Sequence, residues 1–489
     1  MAEPNAPPVR EPHGALAQLA ARVLRRSGRR ASTGGGERGP KGGLFVVRKT
    51  ISVFLVGDCL LLGRWVPAAT CVVRSSSAHR GKVARLAAVL PAAVLVCLVG
   101  ALTAPAAAGT SQPLRAFPAS RQAGLFDVLA SVSCTSATAC TAVGYRTAST
   151  GAVVPLAETW NGQVWSVEAI PAPAGATDTR LFGISCSSAS ACIAVGRYVK
   201  GGLERPLAER WNGTRWRVRA AASPAGAKGS DLFAVSCSSA AACTAVGVDS
   251  ASPGVLGTLA ERWNGRSWTV QATPSVSTTF AQLSGVSCTS ATTCTAVGGY
   301  ENSAHTTLAL AEAWNGMSWT VQATPSPAGT FGTIFRSVSC TSPRACTAAG
   351  QQEASTANLA LAERWDGTNW TSQTIPAPVH NESQLFGVSC SSAAACTAIG
   401  YLRDNTGTAH ALAAAWDGTQ WSIQPIPPAS ASGSELAGVS CTSPSACTAV
   451  GRSSGTNSTK TLAERWNGSS WAIQPSPNPQ APMRANLSR

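Results

Sequence analysis

The sequence predicts an all-β fold: a seven-bladed β-propeller of four-stranded antiparallel blades over residues 124–478, preceded by a leader with one apolar helix. Three observations carry this. A unit exemplified by Gly285 to Pro325, GVSCTSATTCTAVGGYENSAHTTLALAEAWNGMSWTVQATP, recurs seven times, with first cysteines at Cys134, Cys186, Cys237, Cys288, Cys340, Cys390 and Cys441. Tryptophan pairs keep the same beat, from Trp160/Trp165 to Trp466/Trp471. Each copy holds four short runs of strand-forming residues bounded by Gly, Ser, Asn and Pro, and four strands in roughly 50 residues is the size of a propeller blade.

The chain begins with an extension over residues 1–80, rich in Arg, Gly and Pro and without sustained periodicity. It reads as a disordered cytoplasmic tail or as sequence upstream of the true translation start. Residues 81–108 have the anatomy of a signal peptide: a basic lead-in over His79–Arg85, the apolar run Leu86–Thr103 and Ala106-Ala107-Ala108 before Gly109. The apolar run is also long enough to act as an uncleaved membrane anchor, a single transmembrane helix. Residues 109–123 are a linker, and the proline-rich end over 479–489 is a disordered tail.

Charge and cysteine usage narrow the function class. The chain carries 38 Lys+Arg against 23 Asp+Glu, a net charge of +15. Residues 1–108 hold 15 Lys/Arg against four Asp/Glu, so most of the excess sits in the leader and the repeats show no basic stripe. A nucleic-acid partner is therefore not expected. Of 17 cysteines, 14 form seven C-x5-C pairs, while Cys59, Cys71 and Cys97 lie in the leader. An even set at fixed spacing behind an export signal reads as a disulfide framework: Cys134–Cys140, Cys186–Cys192, Cys237–Cys243, Cys288–Cys294, Cys340–Cys346, Cys390–Cys396 and Cys441–Cys447. No copy brings the further ligands a zinc site needs, so neither metal nor cofactor is expected.

Within a copy, the first strand is a run such as Leu385–Cys390 and the second a run such as Ala446–Gly451. The third is Leu-Ala-Glu-Arg-Trp and the fourth Trp-Thr-Val-Gln. Strands one and two are joined inside the cysteine pair. Strands three and four are joined through Asn-Gly or Asp-Gly, as at Asn161-Gly162 and Asp366-Gly367, which should supply the φ > 0 residues of a tight hairpin. The other two connections are long and variable, so an up-and-down blade puts short hairpins on one face and all long loops on the other. The tryptophans should fill space between neighbouring blades. Glu158, Glu209, Glu261, Glu312, Glu363 and Glu464 share one repeat position, with Ala414 in the sixth copy, and read as structural hydrogen-bond acceptors.

The hairpin Glu363-Arg364-Trp365-Asp366-Gly367-Thr368-Asn369-Trp370 resembles the Asp-box of sialidase-type propellers. The whole unit, VSC…C-x-A-V-G followed by W-[ND]-G-x-x-W, is similar to secreted seven-repeat β-propeller proteins of actinobacteria. The resemblance implies a propeller and export, and no defined activity.

Variable loops on a rigid scaffold are where binding usually sits. The repeats contain four tyrosines, all just after strand two on the long-loop face. The candidate ligand-binding residues are Tyr145, Arg146, Arg197, Tyr198, Tyr300, Glu301, Tyr401, Arg403 and Asp404. Gly451-Arg452-Ser453-Ser454-Gly455 spells G-x-S-x-G but lacks the helix a nucleophile elbow needs. His305, His380 and His410 fall singly in long loops. With deviations from the repeat spread thinly, no catalytic residue stands out. The sequence reads as a secreted or cell-envelope, non-enzymatic binding or scaffolding propeller, monomeric, whose long-loop face contacts an extracellular glycan or protein. The membrane enters only through an uncleaved leader. The alternative is a sialidase-like glycoside hydrolase, or a lyase, on the same scaffold.

Overall fold

A computed structural model describes residues 125–478, apart from positions 253, 328–329, 356, 377–381 and 456–457. The extension 1–80, the signal-peptide or anchor segment, the linker, the tail and His380 lie outside the described residues. Among the described residues every regular element is a β-strand; there are 28, in seven sets of four. In the first set β1 is Leu125–Ser136, β2 Ala139–Thr147, β3 Val153–Trp160 and β4 Trp165–Glu168. They pair antiparallel in order, and the other six sets repeat the pattern. The result is all-β, with four-stranded antiparallel sheets in a propeller-like arrangement.

The sheets are joined through their first strands. Each first strand touches that of the next set, and the last of them (Ser434–Ser443) returns to β1. Seven hydrogen bonds follow this cycle. The serine of each Val-Ser-Cys run, or its Ile-Ser-Cys equivalent, accepts from the backbone N–H of the next set's first cysteine. Cys186 N–H donates to Ser133 Oγ at 3.0 Å, and Cys134 N–H donates to Ser440 Oγ at 3.0 Å to complete the round. The other five are 2.9–3.0 Å long. A parallel pairing of Leu125 and Phe126 with Ser458 and Thr459 adds a second link between the seventh set and the first. Among the described residues no strand is exchanged between the ends of the repeat; packing and these bonds join them.

All seven expected disulfides are present. Their Cα atoms stand 3.9–4.0 Å apart, closer than the roughly 4.5–5.5 Å of ordinary opposed pairs. A register shift beside each pair draws the hairpin end together. Each bond closes a small loop and contributes about 2 kcal/mol at most. Seven of them imply an oxidising compartment.

The Asn-Gly and Asp-Gly hairpins work differently from the sequence expectation. Only the glycine takes positive φ, 98° at Gly162 and 100° at Gly367. The preceding residue instead uses its side chain as a clamp: Asn161 Oδ1 accepts from the N–H groups of Gln163 and Val164, both at 2.9 Å. Asp366 does the same with Thr368 and Asn369 and also accepts from the Thr368 hydroxyl at 2.7 Å; that hydroxyl first, and then the N–H groups, hold its carboxyl at about 2.

The tryptophans pack where neighbouring sheets meet. Trp160 and Trp165, with ring centroids 5.7 Å apart, lie against Val450 and Ala463 of the seventh set. Trp319, Trp370 and Trp471 each donate an indole N–H to the glutamine that ends the preceding set's fourth strand, at 2.9–3.2 Å. The repeated glutamates are fully buried on the third strands. Three have partners: Ser476 for Glu158, Ala222 N–H for Glu261 and Ser372 for Glu363. Glu209, Glu312 and Glu464 have no partner for either carboxyl oxygen among the described residues, which corrects the view of all six as acceptors. Burial raises Glu158 and Glu261 to about 7 and the other four to about 8.

Candidate functional site

Every first strand carries one residue that steps out of the ladder. In β1, Leu129 pairs with Gly144 and Ser131 with Val143, leaving Ala130 unpaired. The same shift isolates Phe182, Phe233, Ser284, Arg336, Phe386 and Ala437. A β-bulge bends the strand and re-aims the side chain it frees. These seven residues, each followed by a small residue and then Val or Ile, line a central cavity of about 190 Å³.

The glycine that ends each Ala-Val-Gly run makes the bulge possible. A Cβ on Gly144 would lie 1.9 Å from the backbone oxygen of Val128 across the strand pair. The equivalent glycines, from Gly196 to Gly451, meet the same obstruction at 1.9–2.1 Å. The scaffold is thus identical in all seven sets while the residue presented to the cavity varies.

That variation is organised. Round the cycle the bulged residues read Ala130, Phe182, Phe233, Ser284, Arg336, Phe386, Ala437. Phe182 and Phe233 touch each other with ring centroids 6.0 Å apart, making an aromatic wall. Phe386 packs on Tyr401 at 5.6 Å. Between the two aromatic groups sit Ser284 and Arg336, and the adjoining alanines leave a gap. Arg336 Nη2 donates to Gln351 Oε1 at 3.3 Å, while its Nε is buried with no partner among the described residues. Burial lowers the Arg336 pKa, with Tyr401 opposing. Gln351 and Tyr401 lie on second strands toward the long connections, so Arg336 reaches to the long-loop side of the cavity.

The residues expected to bind from the sequence fall into two groups. Tyr145, Arg197 and Tyr401 share one position on the second strand, paired with Val128, Arg180 and Gln384. Arg146, Tyr198 and Tyr300 occupy the next position, on the opposite side of the sheet. There Tyr198 and Tyr300 pack against the cores shared with the preceding sets. Arg180 lies over the Tyr145 ring at 4.9 Å, and Arg197 pairs with Glu204 and, at 3.5 Å, with Asp231. Glu301 pairs with His305 in its own loop. Asp404 is held by Thr406, Thr408 and His410 within one turn. Only Tyr401 and Arg403 are brought together: Tyr401 Oη donates to Glu382 Oε1 at 2.6 Å, and Arg403 Nε lies 3.0 Å from Glu382 Oε2. Burial first, and then the bond to Glu382, push the Tyr401 hydroxyl up to about 12.

Sequence reasoning missed Phe182, Phe233, Arg336, Phe386 and Glu382. The signal was present: the position four residues before each first cysteine is the most chemically varied in an otherwise constant run. Within the first-strand run, that one varied position per set is the one that lines the central cavity. Among the described residues no group of three His, Cys, Asp or Glu side chains is placed to hold a metal.

No protein-family model matches this chain, and no curated protein does. Solved structures with a similar course of chain include YCF48 bound to D1 peptide, at 11% identity and TM-score 0.43, covering 69% of this chain and 93% of that one. A polysaccharide lyase, PL25 ulvan lyase bound to its saccharide, aligns at 8% identity and TM-score 0.42 over 59% and 81% of the two chains. A Hadza microbial sialidase, Hz136, aligns at 10% identity and TM-score 0.39 over 66% and 73%. At this distance the similarities carry no argument about ligand or reaction.

Proposed function

We propose that this chain is an exported, non-enzymatic binding protein: a closed seven-bladed propeller that takes part of an extracellular glycan or protein at the centre of its long-loop face. One observation carries the reading. Seven identical bulges present seven side chains to one cavity, and those side chains are asymmetric, with aromatic, cationic and empty sectors. A purely structural plug would gain nothing from a half-buried guanidinium whose Nε has no partner among the described residues, since such a group costs more than it returns unless something pairs with it. Export through residues 81–108 agrees with seven disulfides, and the Asp-box likeness of the hairpins agrees with the turn-clamping role of Asp366.

A second reading, a glycoside hydrolase, is favoured by the contact between Tyr401 and Glu382 beside Arg403. Against it, Tyr401 is 6% exposed and its proton is held more tightly than usual, the reverse of an activated nucleophile. Glycan and peptide arrays beside a panel of fluorogenic glycosides separate the two. The binding reading expects array signal with no turnover. Turnover that is lost in Tyr401→Phe would replace it with the hydrolase, and silence on every array together with no turnover of any glycoside would remove both.

A further inference from the structure

We infer that the second set carries a binding site of its own on its outer hairpin, where Arg210, Arg215, Arg217 and Arg219 take the anionic groups of an acidic polysaccharide. This site is independent of the central cavity.

The hairpin gathers the four arginines. The third strand of the set, Leu203–Trp211, turns back into the fourth, Trp216–Ala220, and sets Arg210 directly opposite Arg217 and Ala208 opposite Arg219. Opposed residues share a face of the sheet, and so do residues two apart along a strand, so Arg210, Arg217 and Arg219 project from one side. Arg217 is exposed, and Arg210 and Arg219 are half-buried. Arg215 is exposed at the hairpin tip, where its N–H donates to Asn212 Oδ1 at 3.0 Å. A charge count along the chain does not show this cluster, because the turn brings it together.

Nothing neutralises it. None of the four arginines makes an ion pair among the described residues. Arg219 Nε is buried with no partner among them. Glu209, the one acid between Leu207 and Ala220, lies fully buried on the opposite side of the sheet, and burial raises it to about 8.

The cluster also breaks the repeat at a cost. Like charges set directly opposite repel. The other six sets place Ser, Thr or Ala at the position of Arg217, and Gln or Glu at that of Arg219. In three sets that glutamine accepts an indole N–H from the following set. A guanidinium has donors only and cannot take that bond. An arrangement that repels itself and gives up an acceptor is stabilised when an external oxyanion pairs with it.

The spacing and the compartment select the partner. Arg217 and Arg219 stand about 7 Å apart along the strand, so the site meets successive charges of a linear chain. The disulfides imply an oxidising compartment, where acidic polysaccharides are available. Residues 109–489 hold 23 Lys/Arg against 19 Asp/Glu, too even a balance for the broad basic face that a nucleic-acid duplex needs. The charge on the polysaccharide has two sources, the carboxylates of uronic acids and sulfate esters.

The test is a fluorescence-anisotropy titration of labelled alginate, dextran sulfate, neutral dextran and a DNA duplex with the purified protein. Alginate or dextran sulfate should bind at low salt, and dextran should not. Tighter binding of alginate assigns the site to uronates; tighter binding of dextran sulfate assigns it to sulfate esters. Raising salt from about 50 mM to about 200 mM should weaken binding by about tenfold or more through counterion release. At about 0.5 M salt binding should be screened out. Arg217→Thr with Arg219→Gln restores the residues of the neighbouring sets, so it should fold as the natural protein does while losing about tenfold or more in affinity. Arg217→Glu, which puts an acid opposite Arg210, serves as a second variant and should lose binding in the same way. Arg452→Gln, at an arginine already paired with Glu435, should leave binding unchanged. Equal binding of dextran and dextran sulfate, no binding of either acidic polymer, unchanged affinity in the folded double variant, an equal loss in Arg452→Gln, or tighter binding of the duplex at the same salt overturns the inference. Arrays read at about 0.5 M salt report the central cavity alone, so the two sites stand or fall separately.

Discussion

Gly298→Ala is expected to unfold the protein or to lower its stability by more than about 4 kcal/mol, well outside the range of ordinary substitutions. The backbone at Gly298 is not left-handed, so the effect does not come from φ. It comes from space: the added Cβ would sit 2.0 Å from the backbone oxygen of Gln282 and 2.9 Å from Leu283 Cα. Neither obstacle is the flexible end of a side chain, so the strand pair must separate. That separation would also dissolve the bulge that aims Ser284. Gly151 is the natural control. It takes φ of 83° on the surface, and a Cβ added there would meet nothing within 4 Å. Gly151→Ala should therefore cost only about 1–2 kcal/mol of left-handed strain. Urea unfolding of both variants measures the contrast. Equal, small losses would mean that the bulge tolerates a side chain.

The second large effect is a pH dependence opposite to that of most proteins, in which acid destabilises. Six fully buried glutamates are held near 7 or 8 by loss of solvent, against an ordinary value of 4.5. The folded protein therefore binds more protons than the unfolded chain between about pH 4.5 and about pH 8, and its stability falls as pH rises through that window. Even a tenfold gain in proton affinity per glutamate, about 1.4 kcal/mol each, comes to about 8 kcal/mol across the six. The melting temperature should be on the order of 10 °C higher at about pH 5 than at about pH 9. Glu312→Gln tests the cause. It should raise the melting temperature at about pH 9 and leave it nearly unchanged at about pH 5. The sixth set, which already carries Ala414 at this position, shows that the fold does not need the carboxylate there. A melting temperature that rises with pH over this window contradicts the burial account.

Much of this architecture is legible in the sequence because it is repeated. Cys134 and Cys140 can be paired from spacing alone, and Trp160 and Trp165 mark a hairpin because the same letters recur six more times. What escapes is any feature created by a register change. In Leu-Phe-Gly-Val-Ser-Cys nothing in the alternation of side chains says that Phe386 leaves the ladder, because a bulge is a property of the strand pair and the partner Gly400 is its other half. The asparagine of Asn-Gly is ambiguous for a related reason. Its side chain can serve a turn as an acceptor or its backbone can adopt positive φ, and the letters do not distinguish them. Ser133 and its equivalents have the look of polar alternation, yet they hold neighbouring first strands together. Sequence proximity groups Tyr198 and Tyr300 with Tyr145 and Tyr401, but a shift of one residue along a strand puts a side chain on the other face.

The proposed binding function rests on the bulged residues at the centre, and the gap left by Ala130 and Ala437 gives the most direct test. Phenylalanine already occupies the equivalent position in three sets, so Ala130→Phe with Ala437→Phe should fold as the natural protein does and fill the open sector. Binding on the glycan and peptide arrays is then expected to disappear, while Met317→Lys on the hairpin face, at a side chain 89% exposed, should leave it intact. Undiminished binding by the filled variant would place the function elsewhere on the molecule and contradict the central role of the cavity.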